Sequence, residues 1–162
     1  AIAAHTNYDL ACGGVNACLA ERLQLKQISM LEEYEHSGLA ASLIGQLETE
    51  MKSSEFAAYV KTQLECKGLK FTVGKTKVKK VAVACGAGSS SIFAAGADAF
   101  VSGDSKHHEL LAASSMGITM VDAGHFATED IAIQPLCNRL SKEFPQVRFI
   151  KSQQKDPVQY LV

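Results

Sequence analysis

Residues 80–104 read "KVAVACGAGSSSIFAAGADAFVSGD", and their reading decides the fold. The apolar run from Val81 to Cys85 stops at glycines, as a strand buried on both faces does. A short helical stretch, "SSSIFAAG" (89–96), follows, and "ADAFVSGD" (97–104) reads as strand again. Downstream the alternation continues. "KHHELLAASSMG" (106–117) reads as helix and "ITMVDAG" (118–124) as strand. "PLCNRLSKEF" (135–144) reads as helix, with Pro135 in its first turn and Leu136, Leu140 and Phe144 in register, and "VRFIKS" (147–152) as a last strand. Strands alternating with helices predict an α/β layered fold, a mostly parallel sheet flanked by helices.

Upstream the signals are more mixed. "AIAAH" (1–5) reads as a short strand, then "TNYDLACGG" as a polar turn. "VNACLAERLQL" (15–25) places Val15, Cys18, Leu19 and Leu23 near one helical face. Residues 27–47 are ambiguous: "QISMLEEY" (27–34) fits a strand, and "SGLAASLIGQLE" (37–48) a loop and then strand. "SSEFAAYVKTQLEC" (53–66) is a helix that Ser53 or Ser54 can cap, with Phe56, Val60 and Leu64 repeating at four and Gly68 as stop signal. "KFTVG" (70–74) is a short strand.

The chain has 162 residues, 47% of them apolar and 20% charged, enough for one domain with a real core. A net charge of −1 argues against a broad electrostatic grip on nucleic acid or acidic lipid. No apolar stretch is long enough to cross a bilayer as a helix. The cysteines, Cys12, Cys18, Cys66, Cys85 and Cys137, include no C-x-x-C pair, which fits reduced core residues in a cytoplasmic protein better than zinc ligands. The chain opens without methionine, apparently inside a strand, which reads as an N-terminally truncated fragment.

In sheets of this kind, ligand sites gather beyond the carboxyl ends of the strands. Four polar clusters fall there: "AHTNYD" (4–9), "CGAGSS" (85–90), "SGDSKHHE" (102–109) and "DAGHFATE" (122–129). His125 and Glu129 are four apart and share a face on one turn of helix, on a tight turn before the last helix. Imidazole nitrogen and carboxylate oxygen are standard ligands for zinc and other first-row divalent ions, and Asp9 can add a third from across the sheet. Glu129 or Asp9 can bridge two ions. Spacing alone leaves this metal reading and a plain capped turn equally open.

In "SGDSKHHE", His108 and Asp104 are four apart; the pair suits acid/base work, while Asp104 also reads as a helix N-cap. Gly86 and Gly88 form G-x-G after a strand, but the third glycine of a dinucleotide fingerprint falls at Ser91, so only an anion held by backbone amides or by Ser89 or Ser90 is expected there. His5 can orient Asp9 or line the pocket, or simply hydrogen-bond near a strand end. Gly13 and Gly14 permit a tight turn before a helix. "KTKVKK" (75–80) alternates charge with Val78 and reads as a solvated hairpin or strand edge.

Four ordered blocks, "AAHTNYD" with "GGVN" behind it, "KVAVACGAGSS", "GADAFVSGDSKHHE" and "DAGHFATE", together resemble the Nif-three-like family, the GTP cyclohydrolase 1 type 2 homologues. The resemblance implies the C-terminal portion of a two-lobed fold, one domain over 1–162 with no inserted domain. It implies a dinuclear centre with Asp9, His125 and Glu129 as ligands, completed by two upstream histidines that this sequence lacks. Two divalent ions per full-length chain, zinc, iron or manganese, are then the cofactors, and the site is incomplete here. The implied activity is metal-dependent hydrolysis of the GTP cyclohydrolase type on a nucleotide-like substrate. His108 or Glu129 would move protons, and Gly86, Gly88 and Asp104 would contact substrate. A toroidal homohexamer is the implied assembly. The contrasting expectation is a metal-binding or protein-interaction module without turnover.

Overall fold

The structure, a computed structural model, describes residues 1–94 and 96–161. Six strands form one sheet: β1 (Lys26–Glu33), β2 (Ala40–Met51), β3 (Lys70–Phe71), β4 (Val78–Val83), β5 (Ala99–Ser102) and β6 (Thr119–Asp122), in the order β1-β2-β4-β5-β6-β3. Six α-helices accompany them: α1 (Thr6–Asp9), α2 (Val15–Arg22), α3 (Ser53–Leu64), α4 (His107–Met116), α5 (His125–Glu129) and α6 (Ile133–Glu143). A 3-10 helix, Gly88–Ala94, links β4 to β5; the expected helix over 89–96 runs into Ala95, outside the described residues.

The α/β layering stands. The sheet, however, is mixed where a mostly parallel one was expected. Only β4–β5 and β5–β6 pair in parallel; β1–β2, β2–β4 and β3–β6 are antiparallel. For β1 and β2 the reason lies in residues 27–47, whose ambiguous pattern turns out to be a hairpin. Its tip, Tyr34 to Leu39, is too short for the crossover that a parallel pair needs.

Alternation along the central strands builds two cores. Val81, Val83, Val101 and Val121 pack with Leu19, Leu23, Phe56, Val60 and Leu64 from α2 and α3. Ala82, Phe100 and Met120 face the other way, against Ile92 and Ala113. This period of two on β4, β5 and β6, each strand covered on both faces, is why the sequence there reads as a continuous apolar run.

Several local expectations change. Ala1–His5 is not strand; the His5 carbonyl accepts the Tyr8 and Asp9 amides, and α1 starts there instead. Residues 147–152 form no strand, because β3 already occupies the edge of β6. Neither Ser53 nor Ser54 caps α3. Ser53 turns inward to bond the Thr119 hydroxyl at 2.8 Å, and the Glu55 carboxylate accepts the Lys52 amide. Glu65, left-handed at φ 54°, ends α3 before Gly68 is reached. The α6 stripe is not core: Leu136 and Leu140 are half-buried, and Phe144 is exposed and packs on Phe149. No helix among the described residues is long and apolar enough to cross a membrane.

Candidate metal centre

The parallel strands β4, β5 and β6 end at one edge of the sheet, and their exits converge. Residues after β4 bring Cys85 and Gly86, those after β5 bring Gly103 and Asp104, and those after β6 lead through Gly124 into α5. The expected tight turn before α6 is this one turn of helix. It places His125 and Glu129 on the same side, with His125 Nε2 3.0 Å from Glu129 Oε1. The other ring nitrogen, Nδ1, lies 2.6 Å from Asp104 Oδ2. Asp104 therefore does not cap α4; Lys106 precedes that helix, and Glu109 accepts its amide. Asp104 sits in the left-handed region at φ 45° and holds the His125 ring through Nδ1, which turns Nε2 toward Glu129.

Asp9, at the end of α1, closes the group. A carboxylate oxygen of Asp9, the Cys85 sulfur and a carboxylate oxygen of Glu129 lie within 4.8 Å of one another. Together with His5 and His125 they line a cleft of about 460 Å³ that also takes in Glu32, Glu33, Tyr34 and Glu35 from the β1–β2 hairpin.

Burial and neighbouring charges both act on the titratable groups of this corner. Burial pushes the Asp9 carboxyl above its usual range, against the Cys85 hydrogen bond and the nearby histidines. Burial also raises Glu129, with His125 pulling it down and Asp9 adding to the rise. At His125 burial disfavours the charge, but the Asp104 hydrogen bond and the Glu129, Asp104 and Asp9 carboxylates outweigh it and lift the imidazole above its ordinary value. Burial and the same carboxylates keep the Cys85 thiol protonated. Nε2 and Oε1 at 3.0 Å need a shared proton or a shared cation between them. The donor set fits a divalent first-row ion. Two ligand atoms bonded to one such ion at about 2.1 Å stand roughly 3–3.5 Å apart.

The small residues around the group are explained by contact. Gly86 has φ +52°, and a β-carbon there would stand 2.3 Å from Glu129 Oε1 and 3.1 Å from the His125 ring. A β-carbon on Gly103 would meet the His125 amide at 2.7 Å. Thr128, fully buried, accepts the Gly86 amide at 3.1 Å on its hydroxyl and turns the hydroxyl proton toward the His125 or Gly124 carbonyl. Asn16, buried at the start of α2, accepts the Cys85 amide at 2.9 Å and donates to Ala41.

Other expected site residues fall elsewhere. His108 is exposed on α4 and does not line the cleft, so it is not brought to Asp9, His125 and Glu129. The buried residue of that helix turn is Glu109, which accepts from Ser89 at 2.7 Å. The Gly86 and Gly88 amides, expected to hold an anion, are both spent inside the protein, on Thr128 and on the Cys85 carbonyl. His5 is exposed but does line the cleft. Cys85, Asn16 and Thr128 escaped the sequence reading. Their signals were there, in the "N" of "GGVN", the "C" of "ACGAG" and the "T" of "HFATE".

These features define a class, an α/β protein with a carboxylate–histidine cluster at the carboxyl edge of its parallel strands. Residues 1–157 match the family described as Duf34/NIF3 (NGG1p interacting factor 3), and the chain belongs to that family. The "GTP cyclohydrolase 1 type 2 homolog" of Campylobacter jejuni is 32% identical over 98% of this chain and 61% of its own length. The chain thus spans about three fifths of the length of the curated relatives it matches. A Staphylococcus aureus hypothetical protein of solved structure superposes with a TM-score of 0.86 at 26% identity, over 99% of this chain and 68% of that one. A Bacillus cereus protein related to NIF3 shares the fold, with a TM-score of 0.91 at 23% identity over 99% and 73%.

Proposed function

We propose that this chain supplies the Asp9, His125 and Glu129 ligands of a divalent-metal centre used for hydrolysis. The observation that carries the reading is the half-buried Glu129 carboxylate, which lies 3.0 Å from His125 Nε2 and within 4.8 Å of both Asp9 and Cys85, with Asp104 bracing the far side of His125. Asp9, His125 and Glu129 would hold the ion; zinc, iron and manganese all suit nitrogen and oxygen donors, and a second ion would need ligands beyond these three. When bound, such an ion supplies Lewis acidity and a water acidified toward neutral pH. The Glu129 carboxylate has a second oxygen, which would be placed to take and return a proton beside the ion. Asp104 keeps the His125 ring oriented, and Gly86 leaves room for the Glu129 carboxylate.

The names of the relatives point to a GTP cyclohydrolase type of reaction on a nucleotide-like substrate. A specific observation favours the second reading, metal binding without nucleotide turnover. Among the described residues lining the cleft there is no lysine or arginine, while Glu32, Glu33 and Glu35 rim it; in the adjoining cavity that His125 and Glu129 also line, Lys70 is paired with Asp122 at 2.8 Å, so a triphosphate would have to draw Lys70 away from Asp122.

Metal content and turnover together test both. On the full-length protein loaded with zinc, iron or manganese, stoichiometric metal that is lost in His125→Ala/Glu129→Ala, with hydrolysis of a nucleotide lost in parallel, is the expected result. Metal without turnover of any nucleotide shifts the conclusion to the second reading. No metal after loading overturns both.

A further inference from the structure

We infer that Cys85 is a sulfur ligand of this centre, so that the site prefers thiolate-accepting ions such as zinc, cobalt and cadmium over manganese and magnesium. The inference rests on the metal-centre reading above and goes beyond its Asp9, His125 and Glu129 ligands.

The sequence treats Cys85 as a small core residue, and its 6% exposure fits that. Its surroundings do not. The sulfur shares a space of less than 4.8 Å with oxygens of two carboxylates, Asp9 and Glu129. The thiol hydrogen-bonds the Asp9 carboxylate, which an alanine could not, and so sets a third ligating atom beside the two carboxylates. The backbone is also held in place. The Cys85 amide donates to Asn16 Oδ1 at 2.9 Å, and Asn16, 3% exposed, donates in turn to the Ala41 carbonyl at 3.1 Å. The Cys85 carbonyl accepts the Gly88 amide at 3.1 Å. A buried side-chain amide that accepts the Cys85 N–H fixes where the residue stands in the cluster, as supporting hydrogen bonds do around metal ligands. The other cysteines lie differently. The Cys18 and Cys66 sulfurs lie 3.9 Å from the Gly13 and Lys61 carbonyls, and neither those two nor Cys12 nor Cys137 belongs to the cluster.

Ligation costs the thiol its proton, which leaves to solvent as the metal–sulfur bond forms; nothing is oxidised or reduced. Soft sulfur then discriminates among ions. Thiolate suits zinc and cobalt, whereas a site of carboxylate and imidazole alone accepts manganese as readily.

The test is spectroscopic and uses the full chain. Cobalt is added to the metal-free wild-type protein and the near-ultraviolet thiolate-to-cobalt charge-transfer band is recorded, with cobalt content measured on the same sample. The band is expected in wild type and in Cys18→Ser, and absent in Cys85→Ser. In Cys85→Ser zinc affinity is expected to fall roughly tenfold or more while manganese affinity holds, the scale by which altered metal surroundings act. Should Cys85→Ser fail to fold, X-ray absorption at the zinc edge of the wild-type protein decides; a sulfur scatterer at about 2.3 Å supports the assignment. Bound cobalt or zinc with no sulfur signal overturns the role of Cys85 and leaves the metal centre standing. No uptake of either ion overturns the metal centre itself, and the Cys85 assignment with it.

Discussion

Gly86→Ala is a change of a single methyl group that should cripple the centre. Two costs combine. At φ +52° an alanine sits in the left-handed region, which costs roughly 1–2 kcal/mol for a residue with a β-carbon. The new carbon would also stand 2.3 Å from Glu129 Oε1. Even the closest C–H···O contacts keep about 3.3 Å. Glu129 therefore has to retreat by about 1 Å, and the His125 ring at 3.1 Å has to give as well. Misplacement on that scale is enough to spoil a metal or catalytic constellation, which must be held within about 0.5 Å. Urea unfolding should show a loss of about 1–3 kcal/mol, and zinc affinity measured by competition with a chelator should drop at least about tenfold. Gly86→Asn separates the two costs. Asparagine tolerates the left-handed region but carries the same β-carbon, so it should recover stability and not zinc affinity. Wild-type zinc affinity in both variants would refute the argument that Gly86 exists to make room for Glu129.

Asp104→Ala removes the acceptor that orients His125. Zinc affinity should fall about 10–100-fold with the fold intact, and the His125 ring titration followed by NMR should move to lower pH. Thr128→Val leaves the buried Gly86 amide without its acceptor, and urea unfolding should report a loss of about 1–3 kcal/mol. The metal-free chain should lose stability as pH rises. His125 sits above its ordinary 6.5, so its contribution is full below that value and fades as pH passes the raised one. Asp9 and Glu129, raised from 3.8 and 4.5, favour folding while protonated and oppose it once pH climbs past their folded values. Saturating zinc should reverse the trend, since ligands bind metal only when deprotonated; melting temperature against pH with and without zinc reads both slopes, and identical slopes would remove zinc from this corner.

What the sequence determined by itself was whatever depends on neighbours along the chain. Leu19 and Leu23 on α2, and Phe56, Val60 and Leu64 on α3, declare their helices through period alone, and all are buried as read. The apolar runs around Val81, Val101 and Val121 declare strands covered on both faces. His125 and Glu129 declare a shared face because four residues make one helical turn. Tertiary structure decided whatever depends on partners far away in sequence. Strand direction was beyond local reading, since β2 carries the same alternation whether its neighbour runs with it or against it. The last strand expected at 147–152 failed because Lys70 and Phe71 already pair with Asp122 and Val121, some fifty residues downstream. Asp104 reads locally as a cap and becomes the brace of a histidine 21 residues away. Cys85 reads as core filler and lies against Asp9, brought from the far end of the chain. Periodicity records which face a residue takes. Only the packed fold determines what stands opposite that face, and in this protein the chemistry depends on those opposing groups.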